Sequence, residues 1–216
     1  LHSGSVGSRI GVAGENWGSF VAFAEYGRSR KNYMPAVTAW IRKAGIAKNL
    51  EVAWLSDRHF ELVVQHPVTG ERENISDVGR GTSQVLPVII GGYRLNQGDT
   101  YLVEEPEIHL HPRAQAALGD YFLDLTKRGV QTLLETHSEY LVMRLQQHVA
   151  SGALSADDVV FYYVGASEDG KTLTKLTLND EAVFEKSIPG GFFPQRMQEA
   201  TGLARARSTG SKLDEG

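Results

Sequence analysis

Cysteine is absent from this 216-residue chain. Neither a disulfide framework nor a thiolate metal site is available to it, which is compatible with a cytoplasmic location. No apolar run is long enough to span a bilayer, so no membrane partner is expected. The opening residues Leu1, His2, Ser3 and Gly4 lack the charged and apolar regions of a signal peptide. Since Leu1 is not Met, the chain reads as a fragment or a processed product. An excess of positive charge is missing too: the formal net charge is −4, which gives no global reason to expect nucleic acid and leaves only a local basic patch for it. What is present is a globular composition, 41% hydrophobic and 22% charged. That suffices for one good-sized core, or a core plus a small appendage.

Residues 1–32 are rich in Gly, Ser and Arg and read as irregular structure or short strands. Pro35 suits a helix's first turn, and Met34, Val37, Ile41 and Ala44 follow at amphipathic spacing. Residues 50–54 and 60–64 alternate like strands about a turn at residues 56–58. A second turn falls at Pro67 to Gly70. Residues 82–90 are expected to form a helix that Pro87 limits or kinks. Two buried strands are predicted over 100–103 and 130–134, with helices over 112–125 and after Ser138, which can act as an N-cap. A further strand over 159–164 completes a strand–helix–strand–helix–strand alternation, the mark of a parallel sheet flanked by helices.

The stretch Tyr101-Leu102-Val103-Glu104-Glu105-Pro106-Glu107 sets acids at the carboxyl end of a buried strand, where ligands bind in open α/β sheets. Adjacent side chains there diverge. One of Glu104 and Glu105 can hold Mg²⁺ through water, and the other can orient or deprotonate an attacking water. A solvated acidic turn is the competing reading of the pair taken alone. Upstream, Asp77-Val78-Gly79-Arg80-Gly81-Thr82-Ser83-Gln84 offers backbone N–H groups at a helix start, a favourable place for phosphate. Downstream, His137 follows the next strand and can reach a terminal phosphate, although a histidine at a strand end is commonly an ordinary polar residue.

Taken in order, these elements resemble the ABC-type ATPases, most closely predicted bacterial AAA ATPases of the overcoming-lysogenisation-defect and chromosome-maintenance groups. Residues 76–84 resemble the signature motif. Leu102-Val103-Glu104-Glu105-Pro106 resembles a Walker B strand with its catalytic glutamate, Ile108-His109-Leu110-His111-Pro112 a D-loop, and His137 the switch histidine. Ile188-Pro189-Gly190-Gly191-Phe192-Phe193 resembles the small C-terminal domain of those proteins. The resemblance implies a partial P-loop NTPase fold of ABC type, α/β with a mostly parallel sheet, and a C-terminal β-hairpin appendage. Its parts would be a core over 1–157, a β-rich appendage over 158–204 and a flexible tail over 205–216. It also implies ATP and Mg²⁺ bound at the interface of a homodimer. Glu104 would serve the metal, while Glu105 and His137 would be catalytic. The second subunit would present Gly79, Gly81, Ser83 and Gln84 to the nucleotide, with His111 also near it. A DNA-linked or phage-defence setting with a nuclease partner is implied as well. Three departures stand out: Glu104 replaces the usual Asp, Arg80 brings a positive charge into the signature, and no Walker A loop precedes the motifs.

One stretch does spell a Walker A loop: Gly165-Ala166-Ser167-Glu168-Asp169-Gly170-Lys171-Thr172. It comes last instead of first. Its two acids would repel phosphate, and a Thr-rich, strand-like run follows where a helix is required. Asp169-Gly170 between apolar runs is a good hairpin turn, so a hairpin is expected. Three further readings are weighed. His109 and His111, with His137 and nearby glutamates, could form a zinc hydrolase site, though their spacing is not a specific zinc signature. The ABC shape could also serve a non-catalytic dimerisation or interaction module. Arg28, Arg30 and Lys31 could touch DNA or a partner, against the simpler reading of a solvated loop. The hairpin reading predicts that Lys171→Ala leaves nucleotide affinity unchanged in a fluorescent-nucleotide titration. A loss of about tenfold or more, roughly 1.4 kcal/mol, would overturn it.

Overall fold

In a computed structural model of the chain, the described residues are 17–18, 21, 33–56, 59–167, 170–179, 181–186 and 201. The basic segment 26–31, the 188–193 stretch and the tail 205–216 lie outside them. Two compact units divide the chain, Leu1–Leu145 and Gln146–Gly216.

The first unit opens with α1, Met34–Ala44, which begins at a proline and ends at Gly45 in a left-handed conformation, φ 74°. Val37, Trp40, Ile41 and Ala44 form its buried face, at the spacing of a helix packed on one side. The expected hairpin follows as β1, Asn49–Ser56, paired antiparallel with β2, His59–Gln65. A short β3, Arg72–Asn74, extends this sheet to three strands. The turn between β2 and β3 closes through His66 N–H donating to the Glu71 carbonyl at 2.7 Å, with Gly70 at φ 78°.

Helix α2 runs from Arg80 to Arg94 with Pro87 inside it, past the end expected at residue 90. A mid-helix proline costs about 3 kcal/mol. Val85, Leu86, Ile89 and Ile90 are all essentially fully buried, at roughly 1.5–3 kcal/mol each, and together they outweigh that cost. Past the proline, Gly91 and Gly92 make room for two phenols. Tyr101 and Tyr121 each donate to the Val88 carbonyl at 2.8 Å. A Cβ on Gly92 would lie 1.9 Å from the Tyr121 oxygen, and one on Gly91 2.8 Å from that of Tyr101. Burial pushes the ionisation of both phenols up, which keeps them neutral donors.

Strand β4, Thr100–Glu104, pairs parallel and in register with β5, Gln131–Glu135, and α3, Pro112–Lys127, connects them. Val103 faces the core. On the opposite face Leu102 and Leu133, directly paired, are 73% and 50% exposed. Helix α3 buries Ala114, Ala117, Leu118, Tyr121, Phe122 and Leu125. Trp40 of α1 donates its indole N–H to the Ala117 carbonyl at 2.9 Å, and Lys43 pairs with Asp120 at 2.9 Å. Helix α4, Glu139–Ala150, follows β5, with the Ser138 Oγ accepting from Leu141 N–H at 3.1 Å as an N-cap.

In the second unit β6, Phe161–Ser167, pairs antiparallel with β7, Gly170–Leu176. Among the described residues parallel pairing is confined to β4 and β5, so the third strand expected in that sheet is corrected. A strand followed at once by a complementary strand and a Gly-containing turn closes locally, before any distant pairing is made. Gly170, at φ 123°, sits at the turn, and Lys171 and Thr172 lie within β7. The Walker-like stretch is thus a hairpin, with no helix at its end. Phe161 stacks edge-on to Phe184 at 5.3 Å, and Gln146 donates to the Ala182 carbonyl at 2.9 Å. Among the described residues no helix is long and apolar enough to cross a membrane.

The packing at Gly92 makes a stability prediction. Ala favours a helix over Gly by up to about 1 kcal/mol, yet Gly92→Ala is expected to destabilise the fold by at least about 2 kcal/mol, through overpacking and loss of the Tyr121 hydrogen bond. Urea unfolding measures this, and adding Tyr121→Phe should recover part of the loss.

Candidate functional site

The site assembles because β4 and β5 end together. Glu104 and Glu135 are paired residues at the two strand tips, and the ladder continues one step further, with Glu105 N–H donating to the Glu135 carbonyl at 2.9 Å. Glu105 itself sits in the left-handed region at φ 42°, as does His109 at φ 61°. For non-glycine residues such backbone is strained by roughly 1–3 kcal/mol each, and Pro106 restricts Glu105 further. Between them the chain makes a tight turn, closed by Ile108 N–H on the Glu105 carbonyl at 3.2 Å and Leu110 N–H on the Glu107 carbonyl at 3.0 Å.

This turn carries the Glu105 carboxylate to the imidazole of His137, with Nε2 3.2 Å from Oε1. Glu135 joins them, so that one ligand atom from each of Glu105, Glu135 and His137 lies within 4.8 Å of the others. The pair is open to solvent, with the His137 side chain 78% exposed and that of Glu105 38%. An exposed contact of this kind contributes at most about 1 kcal/mol even with a charged imidazole, too little to order two loops by itself.

Other contacts hold the loops. Glu107 is buried, 7% exposed, and its Oε1 accepts the His137 backbone N–H at 2.6 Å. A hydrogen bond to a charged group is worth about 1.5–3 kcal/mol, more than the exposed pair it supports. Gln115 of α3 ties both sides. Its amide nitrogen donates to the Leu110 carbonyl at 2.9 Å, and its oxygen accepts from Ser138 Oγ at 2.7 Å. Ser138 N–H also donates to Thr136 Oγ1 at 3.0 Å.

The structure brings Glu105 and His137 together and adds Glu135, which the sequence reading did not single out. Glu104 is exposed at the tip of β4 and lies outside that group of three. Gly79, Gly81, Ser83 and Gln84 lie at the start of α2, where Gly79 is the N-cap position and no side chain caps the helix. The two glycines differ. A Cβ on Gly81 would lie 2.4 Å from the His109 carbonyl oxygen, whereas one on Gly79 would meet nothing within 4 Å. Gly81 is therefore required by packing inside the chain, and Gly79 leaves open a space that a ligand could enter. Ser83 donates its hydroxyl to the Arg80 carbonyl at 3.0 Å, and Gln84 is exposed. His111 is the N-cap of α3, its Nδ1 accepting from Arg113 N–H at 3.3 Å. Among the described residues the metal-compatible group is Glu105, Glu135 and His137, so of the zinc arrangement considered from sequence, with its nearby glutamates, His137 and two glutamates come together while His109 and His111 stay outside.

Glu107 and Gln115 were missed as functional residues. The signal for Glu107 was a third acid, set right after Pro106 and followed by the apolar Ile108. Nothing in the sequence marks Gln115, because its partners are 5 and 23 residues away on different loops. As for metal, the exposed carboxylates of Glu104 and Glu135 and the half-buried one of Glu105 supply the hard oxygen donors that Mg²⁺ prefers. The residues present fit that ion.

Comparison with curated proteins gives no match. Among solved structures the chain is similar to one described as "Structural biochemistry of ATP-driven dimerization and DNA stimulated activation of SMC ATPases", with TM-score 0.52 and 10% identity, covering 77% of this chain and 91% of that one. It is also similar to an SmcHead bound to the C-winged helix domain of ScpA, with TM-score 0.51 and 12% identity, covering 78% of this chain and 48% of that one. A third is an Smc head domain with an extended coiled coil from Pyrococcus furiosus, with TM-score 0.51 and 12% identity, covering 76% and 38%. At such identities the likeness concerns the fold. A family model described as "AAA ATPase domain" matches residues 27–142, more than half of the 216 residues and all of the strand tips and loops just described. The chain belongs to the AAA ATPase domain family.

Proposed function

We propose that the chain is the signature-to-switch part of an ABC-type ATPase that holds ATP between two copies of itself. The observation that carries this reading is the 3.2 Å approach of His137 Nε2 to Glu105 Oε1 at adjacent strand tips. In the proposed cycle the Glu105 carboxylate orients the attacking water and accepts its proton. The His137 imidazole turns from Glu105 toward the transferring phosphoryl group and stabilises its charge. Glu104 would hold Mg²⁺ through water, and that ion supplies charge neutralisation when bound. The second copy presents the start of α2: Gly79 and Gly81 by backbone N–H, and Ser83 and Gln84 by side chain, with His111 beside them. The uncapped helix start and the open space over Gly79 support this.

The triphosphate cradle itself would come from a Walker A segment outside these 216 residues. The open, apolar face of β4 and β5 at Leu102 and Leu133 supports that reading, because parallel sheets are covered on both faces. ATP would then act as the glue of the dimer and hydrolysis as its release step. The resemblance adds a cytoplasmic, DNA-linked or phage-defence setting with a nuclease partner.

Two tests follow. In a chain completed by its Walker A segment, Glu105→Gln should lower phosphate release by about 10²-fold or more, the usual scale for a general base, while ATP binding and ATP-dependent dimerisation persist; an unchanged rate would sink the assignment. The 216 residues alone should hydrolyse negligibly. Gly79→Ala should weaken ATP-dependent dimerisation in ultracentrifugation at a stability change below about 1 kcal/mol. Gly81→Ala should instead destabilise the fold by roughly 1–3 kcal/mol in urea unfolding.

A further inference from the structure

We infer that Glu107 is the positioning residue that sets the His137 loop in register with Glu105. The inference rests on the ATPase reading above and adds to it what makes the pair a defined geometry. Three observations carry it. The first is burial. Among the described residues Glu107 is the only buried acidic side chain, at 7% exposed, and a carboxylate is seldom hidden without a specific task.

The second is what its oxygens do. Oε1 accepts the His137 backbone N–H at 2.6 Å, so an acid from the loop after β4 grips the loop after β5 at the residue whose side chain meets Glu105. Oε2 is buried with no hydrogen-bond partner, so only one of the two carboxylate oxygens serves the clamp. An amide could supply that one acceptor equally well. The third is the backbone around it. Glu107 lies between the left-handed residues Glu105 and His109, and its own carbonyl closes the turn through Leu110 N–H. A strained turn returns to a relaxed path unless something outside it holds it, and the contact with His137 is such a hold. The exposed Glu105–His137 pair then meets because the two backbones are already in place.

This separates reach from charge. Glu107→Gln keeps the acceptor at the same distance. Glu107→Asp keeps the charge and withdraws it by one methylene, and Glu107→Ala removes both. Two readouts decide. In the 216-residue chain without nucleotide, hydrogen exchange read by NMR should show the His137 amide protected by about 10²-fold or more in wild type and in Glu107→Gln, and largely unprotected in Glu107→Asp and Glu107→Ala, with the β5 amides unchanged. In the completed ATPase, Glu107→Asp and Glu107→Ala should lower kcat by about tenfold or more with KM within about twofold, while Glu107→Gln stays within about threefold of wild type.

A wild-type His137 amide that exchanges freely overturns the inference without any variant, even if Glu107→Ala fails to fold. Loss of turnover in Glu107→Gln equal to that in Glu107→Ala also overturns it, since the charge and not the placement would then matter. Normal turnover in Glu107→Ala, with Glu105→Gln inactive, overturns it and leaves the ATPase reading standing. Normal turnover in Glu105→Gln removes the ATPase reading and this inference together.

Discussion

The in-register parallel pairing of β4 with β5 is the constraint on which the site depends. Parallel strands that start together end together, so Glu104 faces Glu135 and the next residue of each chain leaves the sheet at the same level. The Glu105 N–H to Glu135 carbonyl bond extends the ladder by one step. A one-residue slip would turn every β4 side chain to the opposite face. It would bury Leu102 and expose Val103, and it would carry Glu105 away from His137. The core burial of Val103 and the placement of the acids are thus the same structural fact seen from two sides.

Beyond the strand tips, polar groups do the fine positioning and apolar groups supply the stability. Tyr101 and Tyr121 converge on one carbonyl of α2 in the space left by Gly91 and Gly92. This fastens β4 and α3 to the helix whose other end carries the signature-like residues. Gln115 and Glu107 act at a shorter range, joining the loop after β4 to the loop after β5. These part-buried polar contacts are directional, and each leaves little freedom to a group that solvent alone would let wander.

Much of the fold was legible in the residues. The helix of residues 34–44, the hairpin of β1 and β2, the strands ending at the acids and the Ser138 cap all follow from periodicity, turn residues and caps. Those are local properties, settled within one or two turns of chain. Where expectation and structure differ, the reason is the opposite one. Pro87 disfavours a helix locally, but the apolar face of α2 carries the helix on to Arg94, past the end expected at residue 90. The run over 159–164 has the pattern of an inner strand of the parallel sheet, while the Asp169-Gly170 turn that follows offers it a hairpin partner. The hairpin partner is close by in sequence and wins on loop-closure entropy.

The sequence by itself determined which chemistry is on offer: acids after one inner strand, a histidine after its neighbour, glycines at a helix start, and no cysteine. Their order along the chain also carried the family resemblance. Only the tertiary structure decided that Glu105 and His137 meet at 3.2 Å, that Glu135 joins them, and that His111 serves as a helix cap. It alone decided that Glu107 turns inward to hold the backbone of His137. The reason is physical. Residue type and spacing set what a segment can do alone, whereas a contact between residues 30 positions apart exists only once the register of two strands and the packing of the helix between them have placed both ends.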